Sequence, residues 1–311
     1  MRKGMLALAV ATVAGGLWWL QQSRPPKTLP PEVLAARLAV SLPIPSGPQA
    51  TYHLGHSLVG RDMPAMLAQM AGHDHASQLG WGATLKGHWT GDVPGFSDEN
   101  AHPHHRPAHE AADSGDYPVV VLTEMVEIRD AIRYFESPRY LALWAERFRK
   151  ARPDARVYLY ETWHRLDDPE GWLTRIDADG PRYWEGALLA GAMAYDSVGT
   201  IHVIPGGQVM AATVRAIEAG QVPGLTQRDD LFAKDATGAT DSIHFNDLGA
   251  YLMALTHYAV IMHRSPVGLP HDLTRADGSP ITPVSADTAM ALQRIVWDTV
   301  LSYGRSGVSS G

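Results

Sequence analysis

The ten residues TYHLGHSLVG, 51–60, change character half-way along. An apolar run over 50–54 reads as a buried strand. Gly55-His56-Ser57 then breaks it ahead of the helix-like GRDMPAMLAQMAG, 60–72. A strand passing into a helix at a glycine-flanked turn is how a βαβ unit begins. The same alternation continues. SQLGWGATL (77–85), YPVVVLTEM (117–125), ARVYLYETW (155–163) and TIHVIP (200–205) read as strands. SPRYLALWAERFRKA (137–151), EGALLAGAMAYDS (185–197) and GGQVMAATVRAIEAG (206–220) read as helices. Short β-branched runs between helical patterns predict a mostly parallel sheet covered on both faces, in one α/β domain. SADTAMALQRIVWDTVLSY, 285–303, reads as an amphipathic closing helix. Residues 87–116 show neither helical nor strand period and are expected to form a long functional or mobile loop.

Bulk composition narrows the classes. The chain has 311 residues, 45% of them apolar and 19% charged, which is the make-up of a folded globule with a sizeable core. A formal charge of −7 without any Lys/Arg run argues against a nucleic-acid surface. The absence of cysteine removes disulfides, thiolate metal sites and thiol nucleophiles together. Arg2 and Lys3 precede GMLALAVATVAGGLWWL, 4–20, in which Thr12 is the only distinctly polar side chain. That pattern is a secretory signal or an uncleaved membrane anchor, with Trp18 and Trp19 as an interfacial belt. Either sends the main domain across a membrane, so an exported, periplasmic or membrane-tethered protein is expected. The expected organisation is an anchor or signal over 1–21 and a proline-rich linker over 22–48, with a short helix at Pro31–Leu42. A domain over 49–304 and a disordered tail over 305–311 complete it.

In open parallel sheets ligands bind at the carboxyl ends of the strands, which is where Ser57 falls. A serine hydroxyl becomes a nucleophile only when a base takes its proton and a third group orients that base. ATDSIHFNDLGAYLMALTHYAVIMH, 239–263, offers such a pair. Asp241 and His244 stand three residues apart on an expected turn entering a helix near Asn246 or Asp247. That spacing folds a carboxylate back onto an imidazole. Taken singly, Ser57 is better explained as a helix cap.

Together these residues resemble the SGNH, or GDSL-type, hydrolase family. Its nucleophile follows the first strand in a Gly-Asp-Ser-like motif, and a DxxH closes the triad near the C-terminus. Here the first motif is Gly55-His56-Ser57-Leu58, with histidine in place of the commoner aspartate. The last is Asp241-Ser242-Ile243-His244. Over roughly 50–264, the resemblance implies a three-layer, flavodoxin-like α/β sandwich. It also implies a carboxylic-ester hydrolase in which Ser57 attacks, His244 is the base and Asp241 orients it. The family's oxyanion hole uses the serine N–H, a glycine N–H and an asparagine side chain. Gly82 is the candidate glycine, with Gly80 its rival. After VVVL this chain has Thr123-Glu124 and no asparagine; the only ones are Asn100 and Asn246. The hole is therefore two-membered, completed by Asn100 or another donor, or built differently.

Glu124 and Glu161 lie at strand ends and are expected at the rim, as substrate contacts or as structural bonds to loops. Trp163 and His164 share that rim, where an aromatic could form a sugar-stacking wall or, at least as readily, pack beneath a loop. His102, His104, His105 and His109 read as a solvated loop, with a metal site as the sharper alternative. No metal or organic cofactor is implied. The expected partner is an acylated small molecule or carbohydrate, with O-acetyl esters in view. A weakly active carbohydrate-binding or assembly protein on the same fold is the second reading.

Overall fold

The computed structural model describes residues 27–309. Five parallel strands form the central sheet: β1 (Thr51–His56), β2 (His75–Gly80), β3 (Val119–Leu122), β4 (Arg156–Glu161) and β5 (His202–Pro205). They lie in the order β2-β1-β3-β4-β5, the flavodoxin-like arrangement. Leu54, Leu122 and Leu159 stand side by side across β1, β3 and β4.

Successive strand residues serve two separate cores, which is why the strands read as unbroken apolar runs. Val119, Val121, Tyr158 and Tyr160 face one helical layer. That layer holds α1 (Asp62–Ala71), α2 (Gly206–Glu218), α3 (Asp247–Met262) and α4 (Ala286–Tyr303). Val120, Leu122, Val157 and Leu159 face the other layer, built around Leu141, Trp144 and Phe148 of the helix Ser137–Ala151. The result is the expected three-layer α/β sandwich, with a wholly parallel central sheet. Nearly every residue of α3 is buried, so its pattern is apolar all round rather than amphipathic.

Four expectations need correction. Residues 87–116 are not shapeless. Short helices at Phe96–Glu99 and Ala108–Ser114 punctuate them. His105 forms a parallel bridge to Ser77, so the segment covers the outer edge of β2. The helix expected at 185–197 begins much earlier: Trp172–Asp179 continues into a π-helical stretch, Gly180–Leu189, and ends at Ala192. Pro181 falls in the first turn of the π-helical stretch, where a residue without an N–H is tolerated. The described part of the linker is not a free stalk. Its helix Pro31–Leu38 buries Leu34 and Leu38, and Arg37 donates to Met193 O at 3.0 Å. The tail is likewise packed as far as residue 308: Val203 N–H donates to Arg305 O at 3.0 Å and Ser306 is fully buried. The signal or anchor expected over 1–21 lies outside the described residues. No helix among the described residues is long and apolar enough to cross a membrane.

Candidate active site

Ser57 sits immediately after β1, on a turn closed by Val59 N–H donating to His56 O at 2.8 Å. Four residues separate it from α1. That helix is preceded by Arg61, which makes no capping bond through its side chain. Ser57 is therefore not a helix cap. Position 55 has to be glycine, because a Cβ there would stand 2.9 Å from Val59 Cγ2 and 3.0 Å from Thr123 Cβ.

His56 holds the turn. Leu58 N–H donates to its Nδ1 at 3.3 Å, leaving the proton on Nε2, which donates to Glu124 O at 2.9 Å. Burial pulls this imidazole down to about 4, so it stays neutral. An aspartate in that position can accept from the N–H two residues on in the same way. Beneath it, His88 donates from Nε2 to Gly55 O at 2.9 Å and accepts from Gln78 Nε2.

Asp241 and His244 lie on β7 (Thr240–Phe245), which pairs antiparallel with β6 (Phe232–Lys234). The expected turn is thus a strand, because Phe245 pairs with Phe232. Asp241 still folds back onto the histidine: its Oδ1 accepts from Ile243 N–H (2.7 Å) and His244 N–H (2.8 Å). His244 Nδ1 lies 2.9 Å from Asp241 Oδ2, and His244 Nε2 lies 2.9 Å from Ser57 Oγ. Partial burial raises the Asp241 carboxyl, but the His244 N–H and ring and the Ile243 N–H outweigh it and hold it at about 2. An ionised carboxylate only accepts, so Nδ1 carries the proton and the free Nε2 faces the serine hydroxyl.

Of the two roles expected for the remaining rim residues, the geometry shows the structural one. Glu124, Glu161 and Trp163 are 0%, 1% and 0% exposed, so none of them reaches a bound molecule from the rim. Glu124 joins two loops, accepting from Met125 N–H (2.8 Å) and Leu85 N–H (3.3 Å), and burial pushes its carboxyl up to about 7. Glu161 binds the start of α2, accepting from Gly207 N–H at 2.8 Å and Gln208 N–H at 3.2 Å. Trp163 donates from Nε1 to Ile243 O at 3.0 Å, directly under the Asp241–His244 segment. His164 is also buried, with Nε2 3.2 Å from Asp179. The exposed aromatic at this edge is instead Trp81, just past β2 and 55% exposed, whose Nε1 donates to Glu99. Strand period alone cannot tell Trp81 from Trp163; only the path of the loops exposes one and covers the other.

No asparagine side chain is available as a donor. Asn100 is spent on the Leu79 main chain and Phe96 O. Asn246 caps α3 and donates to Asp230 O and Phe232 O. Thr123 donates its hydroxyl to Tyr160 O. Gly82 follows β2 with φ of 55°, on the border of a neighbouring hollow with Thr84, Met125 and Tyr134. Gly80, its rival, is packed tight, since a Cβ there would stand 2.3 Å from Val93.

Ser57 opens into a cavity of about 560 Å³. The 87–116 segment forms one wall through Glu99, Ala101, His102 and Pro103, and Arg275, Ala276 and Asp277 form another. Gly60, Arg61 and Asp62 complete the lining, which includes no large apolar side chain. Nothing in the 51–60 motif or the DxxH signals the 275–277 wall. In the histidine-rich piece, His104 stacks on His75 at 4.1 Å, and His102 and His105 stand edge to face. Among the described residues, no three His, Asp or Glu side chains converge as a metal site would require.

No protein-family model matches the chain, and no curated protein matches it. Among solved structures it is similar to a DUF4886 family protein from Bacteroides uniformis, at 14% identity and a TM-score of 0.49, over 82% of this chain and 96% of that one. It is also similar to a "putative GDSL-like lipase" from Parabacteroides merdae, at 12% identity and a TM-score of 0.41, over 70% of this chain and 99% of that one. At such identities neither likeness speaks for a substrate or a chemistry.

Proposed function

We propose that this protein is a serine hydrolase of the SGNH type that cleaves a short acyl ester from a polar alcohol. The observation that carries the reading is the hydrogen-bonded line Ser57 Oγ–His244 Nε2, His244 Nδ1–Asp241 Oδ2, both links at 2.9 Å. In this reading Ser57 Oγ forms a bond to the ester carbonyl carbon as His244 Nε2 takes its proton. The imidazolium is steadied by Asp241 and returns that proton to the departing alkoxide. Water, deprotonated by the same nitrogen, then releases the acid from the acyl-enzyme. With both asparagines and Thr123 otherwise engaged, the oxyanion hole is a main-chain one, with the Ser57 N–H and the Gly82 N–H as donors.

The cavity supports the substrate class. Its lining of Arg61, Asp62, Glu99, His102, Arg275 and Asp277 suits a hydrated, hydroxyl-bearing alcohol and leaves no apolar trough for a long chain. O-acetylated carbohydrate fits that lining, with Trp81, rather than Trp163, as the ring against which a sugar stacks. The apolar stretch 4–20 is read as the signal or anchor that carries the domain across a membrane.

The test is a fluorophosphonate probe together with p-nitrophenyl acetate. Wild type labels covalently and hydrolyses the acetate ester, while Ser57→Ala loses the label and at least about 10³-fold in kcat. Label retained on Ser57→Ala would overturn the reading. A non-catalytic carbohydrate-binding protein is the second reading, favoured by the missing asparagine donor. It is selected if Ser57→Ala binds acetylated sugars as wild type does and neither protein turns over.

A further inference from the structure

A second cavity, about 580 Å³, opens at the amino-terminal edge of the sheet, the opposite end from Ser57. Arg156 at the start of β4, His202 at the start of β5, and Arg149 and Arg152 from the helix Ser137–Ala151 and its cap line it, with a wall from Leu42 and Pro43. Three guanidinium groups meet one carboxylate there, since Asp154 pairs with Arg152 at 3.2 Å.

Many arginines elsewhere in the fold are paired with acids. Arg106, Arg129, Arg147 and Arg175 each reach a carboxylate within 2.9 Å. Arg149 and Arg156 reach none among the described residues and are met by main-chain carbonyls instead. Arg149 donates to Ala155 O at 3.2 Å, to Thr200 O at 2.6 Å and to Val198 O. Arg156 donates from Nη2 to Pro43 O at 2.6 Å, while its Nη1 is enclosed with no hydrogen-bond partner. Carbonyl dipoles orient a guanidinium without cancelling its charge, so the positive field stays in the cavity. Two imidazoles adjoin it. His202 is 3% exposed, and His263 is 7% exposed with both ring nitrogens unpartnered. Burial first, and then the Arg149 and Arg156 charges, pulls His202 down to about 4. Burial and the Arg156 charge do the same to His263. Partly buried cations with no counter-charge are costly unless an anion joins them.

We propose that this cavity is a binding site for a phosphate-class oxyanion, free or as the headgroup of an anionic lipid. Arg152 and Arg156 close on it, and the carbonyl-fixed Arg149 forms its back wall. Planar guanidinium donors match a tetrahedral oxyanion in pairs, and a group already held in place loses little freedom on binding. The site lies apart from Ser57, so it stands or falls independently of the hydrolase reading.

The experiment is calorimetric titration of the full chain with sodium phosphate against a sodium chloride control, on wild type, Arg152→Gln, Arg156→Gln and Ser57→Ala. Wild type and Ser57→Ala bind phosphate saturably and alike, and each arginine variant binds about tenfold or more weakly. Circular dichroism in chloride checks that the variants are folded, and Arg152→Lys, which keeps the charge, retains part of the binding. Sedimentation with phosphatidylglycerol and phosphatidylcholine vesicles separates the two sources. Excess binding to phosphatidylglycerol that is lost in the arginine variants identifies a headgroup, and phosphate binding without that excess identifies a free anion. No phosphate heat above chloride together with no phosphatidylglycerol excess overturns the proposal, as does equal binding by folded Arg152→Gln and Arg156→Gln.

Discussion

Glu161 shows how a side chain that looks functional in sequence becomes part of the scaffold. Its carboxylate lies where Gly207, lacking a Cβ, leaves room; a Cβ there would stand 2.3 Å from Glu161 Oε1. Burial pushes the carboxyl from 4.5 up to about 8. Between those values the folded chain holds a proton that the unfolded chain has lost, so stability falls as pH rises through the window and levels off above it. The buried imidazoles His56 and His88, held at about 4, act in the opposite sense, adding stability as pH rises from 4 towards 6.5. The comparison of Glu161→Gln with wild type isolates the carboxyl. In urea melts between pH 5 and 8 the variant's stability should decline less steeply, by the equivalent of about one proton. Parallel pH slopes for the two proteins would show that Glu161 is ionised throughout. Serine and the DxxH pair were legible at this scale because their spacing is local to single turns. The burial of Glu124, Glu161 and Trp163 was not, because a strand-end side chain points up or down according to loops far away in sequence.

At the scale of elements, β7 is the piece on which the site depends. It carries Asp241 and His244, pairs only with the three-residue β6, and is partly exposed along its length. Two bonds from the loop after β4 hold it: Trp163 Nε1 to Ile243 O, and Leu166 N–H to Ser242 O at 2.7 Å. Trp163→Phe keeps an aromatic ring but removes the first of these. The expected outcome is a stability loss of about 1 kcal/mol in urea melts. Acetate-ester kcat should fall about tenfold or more with KM nearly unchanged, since a small displacement of His244 from Ser57 weakens proton transfer. A drop in stability with unchanged kcat would make Trp163 a packing residue only. The strand-helix alternation was readable here, and four helices fall within a residue or two of where their apolar period places them: Asp62–Ala71, Ser137–Ala151, Gly206–Glu218 and Ala286–Tyr303. The π-helical stretch was not, because a Gly-Pro pair carries the same local signal whether neighbouring helices bridge it or leave it a break.

Across the whole molecule, the chain ahead of β1 and the chain after α4 are drawn into the domain. Leu42 N–H donates to Gly307 O at 2.9 Å, and Arg305 accepts from Val203 N–H on β5 and pairs with Glu185. Leu38 is 1% exposed within the core that contains Trp144. Leu38→Ala should cost about 2–4 kcal/mol in chemical denaturation, a core truncation. A change within about 0.5 kcal/mol would mean the segment is the stalk its prolines suggest. Sequence alone determined the α/β class, because buried parallel strands must be continuously apolar and their connecting helices amphipathic or apolar. It also singled out Ser57, Asp241 and His244, since each sits at a local break in that pattern. Only the tertiary structure decided that His244 lies within hydrogen-bonding distance of both Ser57 and Asp241. It also decided that Trp81 and not Trp163 faces solvent, and that three arginines at the far edge of the sheet gather around a single acid. Each of those facts depends on which strand ends become neighbours, and a parallel sheet brings together residues that are far apart along the chain.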